Sequence, residues 1–347
     1  MFNNKVSPEI LALSTFVALE IKDIKYVCDE IRKSKMHKLS PLFKNKIILV
    51  TGGTGSIGSE IVRKLLPYGP KQIRVFSRDE SKHYFLQQEL GEFNRNTDIR
   101  FLIGDIRDRE RLDKAFFGVD IVFHAAALKH VPYCEYNPFE AIKTNVQGTQ
   151  NVIDAALRHN VDKVISISTD KAVYPNTVMG ITKLLAERMI IGAHNYLGNA
   201  KTKFAVVRFG NVINSRGSVI PTWIAQIKKG GPVTVTDKNM TRFFMSIEEA
   251  VDLIFLATKK MQGQEIFVLK MPKENIFELA KKTIAQHGNK ENIKIKITGA
   301  REKEKIHERL FTDEEQQFMV EKNLFYVIFP NKTLFKKFSG GKHSLYK

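Results

Sequence analysis

The run Ser168-Thr169-Asp170-Lys171 sets a hydroxyl, a carboxylate and an amine side by side. A carboxyl group and an amine form an acid–base pair when burial and neighbouring charges bring their pKa values toward neutrality. On an extended strand, adjacent residues point to opposite faces. Asp170 and Lys171 must therefore stand at the irregular end of a strand to serve one substrate. Taken alone, they read first as a surface salt bridge. Farther on, Met179 and Lys183 are spaced to share one helix face.

A second constellation is ILVTGGTGSIGSEIV, with Gly52, Gly55 and Gly58 in a G-x-x-G-x-x-G spacing. It follows an apolar run and opens a helical pattern. Glycine lets a backbone turn tightly and approach a pyrophosphate, with Thr54, Ser56 and Ile57 completing the loop. The helix N-terminus offers free N–H groups and a partial positive charge.

These residues need a scaffold that holds them at the ends of strands. KIILVT (46–51), QIRVFS (72–77), IRFLIG (99–104), DIVFHAA (120–126), DKVISIS (162–168) and KFAVVRF (203–209) read as strands separated by helical stretches. That alternation predicts an α/β fold, a Rossmann-type doubly wound parallel sheet with ligands beyond its carboxyl ends. The regularity fades after about residue 210, where prolines and glycines punctuate shorter elements. The expected division is a dinucleotide-binding domain over 44–210, whose core returns in parts of 211–270, and a smaller, mainly substrate-binding lobe over 211–330. Residues 1–43 form an N-terminal extension. Within it, Ile10, Leu13, Val17, Ile21, Ile24, Val27 and Ile31 recur at helical spacing. Residues 331–347 read as a loose, basic tail.

The second strand ends in Ser77-Arg78-Asp79. An acidic residue there favours NAD, whereas an arginine can pair with the 2′-phosphate of NADP. The reading leans to NADP through Ser77 and Arg78, with Lys82 in support; NAD stays open. After the fourth strand, Ala125 and Ala126 supply small side chains where a cofactor must pass close to the backbone.

The chain resembles the extended short-chain dehydrogenases/reductases, and among them the nucleotide-sugar 4,6-dehydratases, closest to the UDP-N-acetylglucosamine 4,6-dehydratases of bacterial polysaccharide biosynthesis. The residues that carry this are TGGTGSIGSEIV, SRDE (77–80), GDIRD (104–108), HAAALKHVP (124–132), STDKAVYP (168–175), MGITK (179–183), VRFGNVINSRGSVIP (207–221), MTRFF (240–244) and GAREKEKIHE (299–308). The resemblance spans roughly residues 44–315. It implies that Asp105, followed by Ile106, meets the adenine. Hydride leaves sugar C4 for the nicotinamide, water is lost across C5–C6, and the hydride returns to C6. It implies Lys171 as the C5 base, if its pKa is lowered by neighbouring cations and burial, and Asp170 as the C6 acid, if its pKa is raised. Lys183 holds the nicotinamide ribose and assists alkoxide formation at C4. The superfamily's usual catalytic tyrosine is Met179 here, which cannot take a proton. A branch of the dehydratases carries methionine at this position. Thr169, Asp170 or a bound water must then share the C4 deprotonation.

On the substrate side the resemblance implies that Asn211 contacts the diphosphate. Arg216, Ser218 and Arg242 are further diphosphate candidates, because a guanidinium fork matches phosphate oxygens. Arg301, Glu304 and Lys305 match the family's R-P-G-E-K loop over the nucleotide, with Glu302-Lys303 in place of Pro-Gly. Lys129 lies at the mouth of the fourth strand. A dehydratase that recovers its hydride every cycle is expected to keep the cofactor as a recycled prosthetic group.

The bulk properties fit a globular enzyme. The chain has 347 residues, 43% hydrophobic and 27% charged. Two cysteines, Cys28 and Cys134, give neither a disulfide framework nor zinc spacing, which fits a reducing compartment. The net charge of +18 suits a lysine-rich surface or an anionic substrate; no nucleic-acid motif accompanies it. The apolar run Ile10–Leu19 is too short to span a bilayer and lacks the marks of a signal peptide. The expectation is a cytoplasmic homo-oligomer without a bound metal, acting on UDP-N-acetylglucosamine or a related nucleotide sugar. The rivals are another nucleotide-sugar epimerase or reductase, a GDP-linked substrate, and a non-catalytic NADP-binding partner protein.

Overall fold

The computed structural model describes residues 39–91, 97–213, 215, 217–288 and 293–339. The expected helix over 8–38 lies outside them. Six strands fall where the apolar runs predict: β1 (Ile47–Thr51), β2 (Gln72–Ser77), β3 (Asp98–Ile103), β4 (Ile121–His124), β5 (Lys163–Thr169) and β6 (Lys203–Phe209). The strands at the centre are buried on both faces, which is why they read as near-continuous apolar runs. Downstream come β7 (Asn211–Val212), β8 (Val233–Val235), β9 (Thr241–Met245), β10 (Ile266–Leu269), β11 (Lys273–Asn275), β12 (Ile295–Ile297), β13 (Met319–Glu321) and β14 (Phe325–Ile328).

The main sheet has the order β13-β14-β10-β6-β5-β4-β1-β2-β3. Its strands from β3 to β10 run parallel, while β14 and β13 are antiparallel additions at one edge. The order reverses between β1 and β4, the position where such sheets open a crevice for a ligand. This is the doubly wound Rossmann-like fold. The return of the later chain to the core reaches beyond residue 270, because β13 and β14 complete the main sheet.

A second apolar cluster forms the smaller lobe around Trp223, Val233, Val235, Phe244 and Ile276. The Trp223 indole N–H donates to the Thr234 carbonyl at 2.7 Å, so the one tryptophan is buried with its polar atom satisfied. The lysine-rich stretch expected to be loose begins instead as a helix, Lys332–Ser339, whose Leu334, Phe335 and Phe338 pack on the main core. Their spacing puts three apolar side chains on one helix face, and Phe338 stacks on Phe329 at 6.0 Å.

One polar cluster sits inside the core. Arg208 on β6 is fully buried. Its guanidinium donates to Glu187 at 2.6 and 3.1 Å, to Glu315 at 2.9 Å from each of two nitrogens, and to the Leu310 carbonyl at 3.0 Å. Glu187 belongs to the helix Val178–Gly192 and Glu315 to the short helix Asp313–Gln316. Arg208 thus joins the sheet, the helix that carries Lys183 and a segment near the chain's end.

Candidate active site

At the end of β5 the Thr169 hydroxyl accepts from the Lys171 N–H at 3.4 Å and turns the chain into a single 3-10 turn, Asp170–Ala172. That turn replaces the alternation of a strand and brings both side chains to one place. The Lys171 ammonium donates to Asp170 Oδ1 at 2.9 Å and to Asn211 Oδ1 at 3.2 Å. The Thr169 hydroxyl donates to the same Asp170 oxygen at 3.0 Å. Asp170 is fully buried, and its Oδ2 has no hydrogen-bond partner among the described residues. A buried carboxylate oxygen without a donor is costly, and suits a group that meets a ligand.

Glu308 Oε1 lies 3.7 Å from the Lys171 ammonium. This carboxylate is buried, and the sequence reading assigns it no role although it ends the quoted stretch GAREKEKIHE. Burial by itself lowers the Lys171 pKa, but the Asp170 and Glu308 charges outweigh it and hold the ammonium above its ordinary value. The expected lowering at Lys171 is therefore not met. It occurs at Lys183, where burial pushes the pKa down to about 8 against the opposing charge of Glu187. The Lys183 ammonium donates to the Ile167 carbonyl on β5 at 2.6 Å.

Met179 is buried in a small apolar cluster with Cys134 and Ala141. Thr177 caps its helix by accepting from the Gly180 N–H at 3.2 Å, and the Val178 N–H donates to Glu135 at 2.6 Å. A Cβ on Gly180 would stand 2.5 Å from the Lys171 carbonyl oxygen, so this glycine lets the helix press against the turn Asp170–Ala172.

The glycine loop has the geometry of a phosphate cradle. Gly52 has φ +66°, and a Cβ there would stand 2.7 Å from the Ala126 backbone nitrogen. That close approach to the backbone of Ala125 and Ala126 explains why position 52 is glycine. The helix Ser56–Leu65 starts at Gly55 with no side-chain cap and no acidic residue in its first turn. Such an end favours an anion. The Thr54 hydroxyl donates to the Ser77 hydroxyl at 2.8 Å, which ties the loop to the end of β2. Asp79 is committed elsewhere. Its carboxylate accepts from the Lys82 N–H at 3.0 Å and pairs with the Lys82 ammonium. Arg78 is exposed, 3.6 Å from Asp105. Burial alone raises the Asp105 pKa, but two hydrogen bonds from the Arg107 guanidinium, at 2.9 and 2.7 Å, hold it down. Ile106 is buried, and its carbonyl accepts from Asn151 at 2.9 Å.

On the lobe side, buried Arg242 donates to the Thr241 and Ile306 carbonyls at 2.9 and 3.1 Å and to Glu304 at 3.2 Å. The Arg301 N–H donates to the other Glu304 oxygen at 3.2 Å, leaving the arginine side chain exposed. Arg242, Arg301 and Glu304 are thus one cluster. Lys305 ties it to the catalytic turn by donating to the Val173 carbonyl at 2.6 Å. Ser218 stands at the start of the helix Val219–Lys228 with its hydroxyl buried and unpartnered among the described residues. Lys129 is exposed. Arg216 lies outside the described residues.

Lys303 adopts φ +62°, at the position where the related loop carries glycine. The substitution therefore keeps the left-handed backbone, with a lysine bearing the strain. Lys303→Gly is expected to leave the thermal midpoint nearly unchanged, since relief of strain and greater chain entropy oppose each other. Lys303→Val should cost about 1–2 kcal/mol, because a β-branched side chain fits this region worst. Equal melting of the two variants would show that the loop does not hold this conformation.

Among the described residues no cluster of His, Cys, Asp and Glu could hold a metal ion, and no helix is long and apolar enough to cross a membrane.

Comparison with known proteins agrees with this architecture. The family described as polysaccharide biosynthesis protein matches residues 48–330. The chain is 54% identical to a Methanocaldococcus jannaschii protein named as an uncharacterized membrane protein, over 84% of this chain and 88% of that one. It is 42% identical to a Campylobacter jejuni UDP-N-acetylglucosamine 4,6-dehydratase (inverting), over 84% of each chain. It is 45% identical to a Rickettsia rickettsii UDP-glucose 4-epimerase, over 79% of this chain and 80% of that one. The X-ray structure of Pen from Bacillus thuringiensis superposes with a TM-score of 0.80 at 46% identity, covering 83% of this chain and 90% of that one. The match runs through the glycine loop, the catalytic turn and the lobe alike. The chain belongs to the polysaccharide biosynthesis protein family, within the extended short-chain dehydrogenases/reductases that comprise nucleotide-sugar dehydratases and epimerases.

Proposed function

We propose that the chain is a UDP-N-acetylglucosamine 4,6-dehydratase that keeps NADP as a recycled prosthetic group and inverts C5. The observation that carries this is the Asp170–Lys171 pair at the end of β5 beside Asn211, with Asp170 fully buried. Exchange of hydride at C4 alone has no use for a carboxyl–amine pair; elimination across C5–C6 needs both. The Campylobacter relative named as a dehydratase supports the reading.

The Gly52–Gly58 loop, Thr54, Ala125 and Ala126 would hold the dinucleotide, with Asp105 and Ile106 toward the adenine. Arg78 and Ser77 favour the 2′-phosphate, since Asp79 is spent on its helix and on Lys82. When bound, the nicotinamide supplies reversible hydride storage between sugar C4 and C6.

The residues account for the protons. At rest Lys171 is an ammonium and Asp170 a carboxylate. As C4 is oxidised, Thr169 takes the C4 hydroxyl proton and passes its own to Asp170, along their 3.0 Å hydrogen bond. The positive charge of Lys183 favours the developing alkoxide. Once Asp170 is neutral, Lys171 loses a stabilising anion and releases its proton to solvent; its side chain is 25% exposed. The free amine removes the C5 proton, and Asp170 protonates the departing C6 hydroxyl. A solvent proton then reaches C5 from the face opposite Lys171, which inverts that centre and leaves Lys171 as the ammonium. Arg242, Asn211 and the Arg301–Glu304 loop would hold the diphosphate and nucleotide.

The test is NMR of the product from purified protein and UDP-N-acetylglucosamine. The expected product is a 4-keto-6-deoxy sugar with inverted C5, formed without net NADPH consumption. The epimerase name of the Rickettsia relative supports a second reading, and a C4 epimer with no 4-keto sugar would establish it instead.

A further inference from the structure

We propose that Glu308 is a positioning residue that holds Lys171 as an ammonium, aimed between Asp170 and Asn211, until the sugar is seated. The other buried glutamates of the core are hydrogen-bonded. Glu187 and Glu315 accept from Arg208, and Glu265 accepts from the Gln262 and Gly263 N–H groups at 2.6 and 2.8 Å. Glu308 differs. Its Oε1 faces the Lys171 ammonium at 3.7 Å, beyond hydrogen-bond length. Its Oε2 has no hydrogen-bond donor among the described residues and lies 3.5 Å from the Lys305 ammonium. A buried carboxylate that faces two ammonium groups, beyond hydrogen-bond length at one oxygen and with no donor at the other among the described residues, acts through its charge.

Among the described residues, three charges bear on Lys171. Asp170 comes from its own turn and Glu308 from the loop after β12, both favouring the ammonium; Arg242 on β9 opposes them. Asn211 on β7 adds an acceptor oxygen. Lys305 sits between Glu308 and the Val173 carbonyl, so the segment that ends the Arg301–Glu304 loop reaches the catalytic turn through both residues. Seating a nucleotide on that loop would reset the distance from Glu308 to Lys171, and with it the readiness of Lys171 to give up its proton.

Only the kinetic part of this inference rests on the dehydratase reading. The ionisation of Lys171 can be measured directly, by competitive acylation across a pH series with mass spectrometry of its peptide. In Glu308→Gln, Lys171 is expected to titrate about 1–3 pH units lower, whereas Glu308→Asp keeps the wild-type titration. The Lys171 limb of the kcat/KM pH profile should move the same way, with little change in KM. Lys305→Met should shift Lys171 in the opposite direction, and it serves if the glutamine variant does not fold. An unshifted Lys171 in folded Glu308→Gln or in Lys305→Met would overturn the proposal. A shifted Lys171 in a protein that makes no 4-keto sugar would leave it standing and remove the dehydratase reading.

Discussion

Lys171→Ala is expected to lower formation of the 4-keto-6-deoxy product by about 10²–10⁴-fold, the range for loss of a positioned base. The defect should fall on elimination. Glycine-loop geometry and Lys183 are untouched, so cofactor content stays at the wild-type level and C4 oxidation still proceeds. Reduced nicotinamide should then accumulate and be seen by its absorbance when the sugar is added, and exchange of the C5 hydrogen with deuterated solvent should be lost. Lys171→Arg should fail as well. A guanidinium can pair with Asp170 and Glu308, but it does not deprotonate near neutral pH. The two variants separate a charge role from a base role: an active arginine variant would show that Lys171 serves only as a cation, and unchanged elimination in the alanine variant would remove it from the mechanism.

Arg208→Met should be the most damaging change in the core. Removing one member of a buried ionic cluster typically costs about 3–5 kcal/mol, because the remaining charges are left unpaired. Here two carboxylates, Glu187 and Glu315, lose their donor together. Burial alone raises the Glu315 pKa, and Arg208 outweighs it to hold the group below its ordinary value. In the wild type this coupling therefore stabilises the fold above the ordinary glutamate pKa and fades as the pH falls below it. In Arg208→Met the sign reverses, since buried carboxylates without a cation prefer the proton. The variant should lose most stability at neutral pH and recover part of it in mild acid, as read by denaturant unfolding. Adding Glu187→Leu and Glu315→Leu should restore much of the loss at neutral pH. A wild-type midpoint in the single variant would contradict the role given to this cluster.

The parallel sheet was legible because its central strands are buried on both faces, and runs such as KIILVT and KFAVVRF become strands within a residue of their expected bounds, while DIVFHAA stops two residues early, at His124. The glycine loop was legible for a similar reason: the chemistry is local, held in one stretch of backbone. The catalytic turn was half legible. The adjacency of Asp170 and Lys171 is in the sequence, and so is the need for an irregular strand end. The charge state of Lys171 is not, because Glu308, which tertiary structure brings from a distant loop, helps to hold it as an ammonium. Arg208 shows the same limit. Nothing local to RFGNV or to the helix marks Arg208 and Glu187 as partners; only the packing of the sheet against the helix and the later segment reveals that both are buried. The lysines of 331–347 suggested a loose tail, whereas Leu334, Phe335 and Phe338 dock its first part as a helix.

The ties between the late segment and the catalytic turn also bear on how the protein is made. The ribosome delivers the glycine loop and the first strands early. Residues 305–315 come late, yet they bring Lys305 to Val173, Glu308 to Lys171 and Glu315 to Arg208. A nascent chain can thus shape a dinucleotide cradle well before its chemical centre is braced. A chain cut short ahead of residue 305 would leave Arg208 with only one of its two carboxylates, an exposed weakness on which cellular quality control can act.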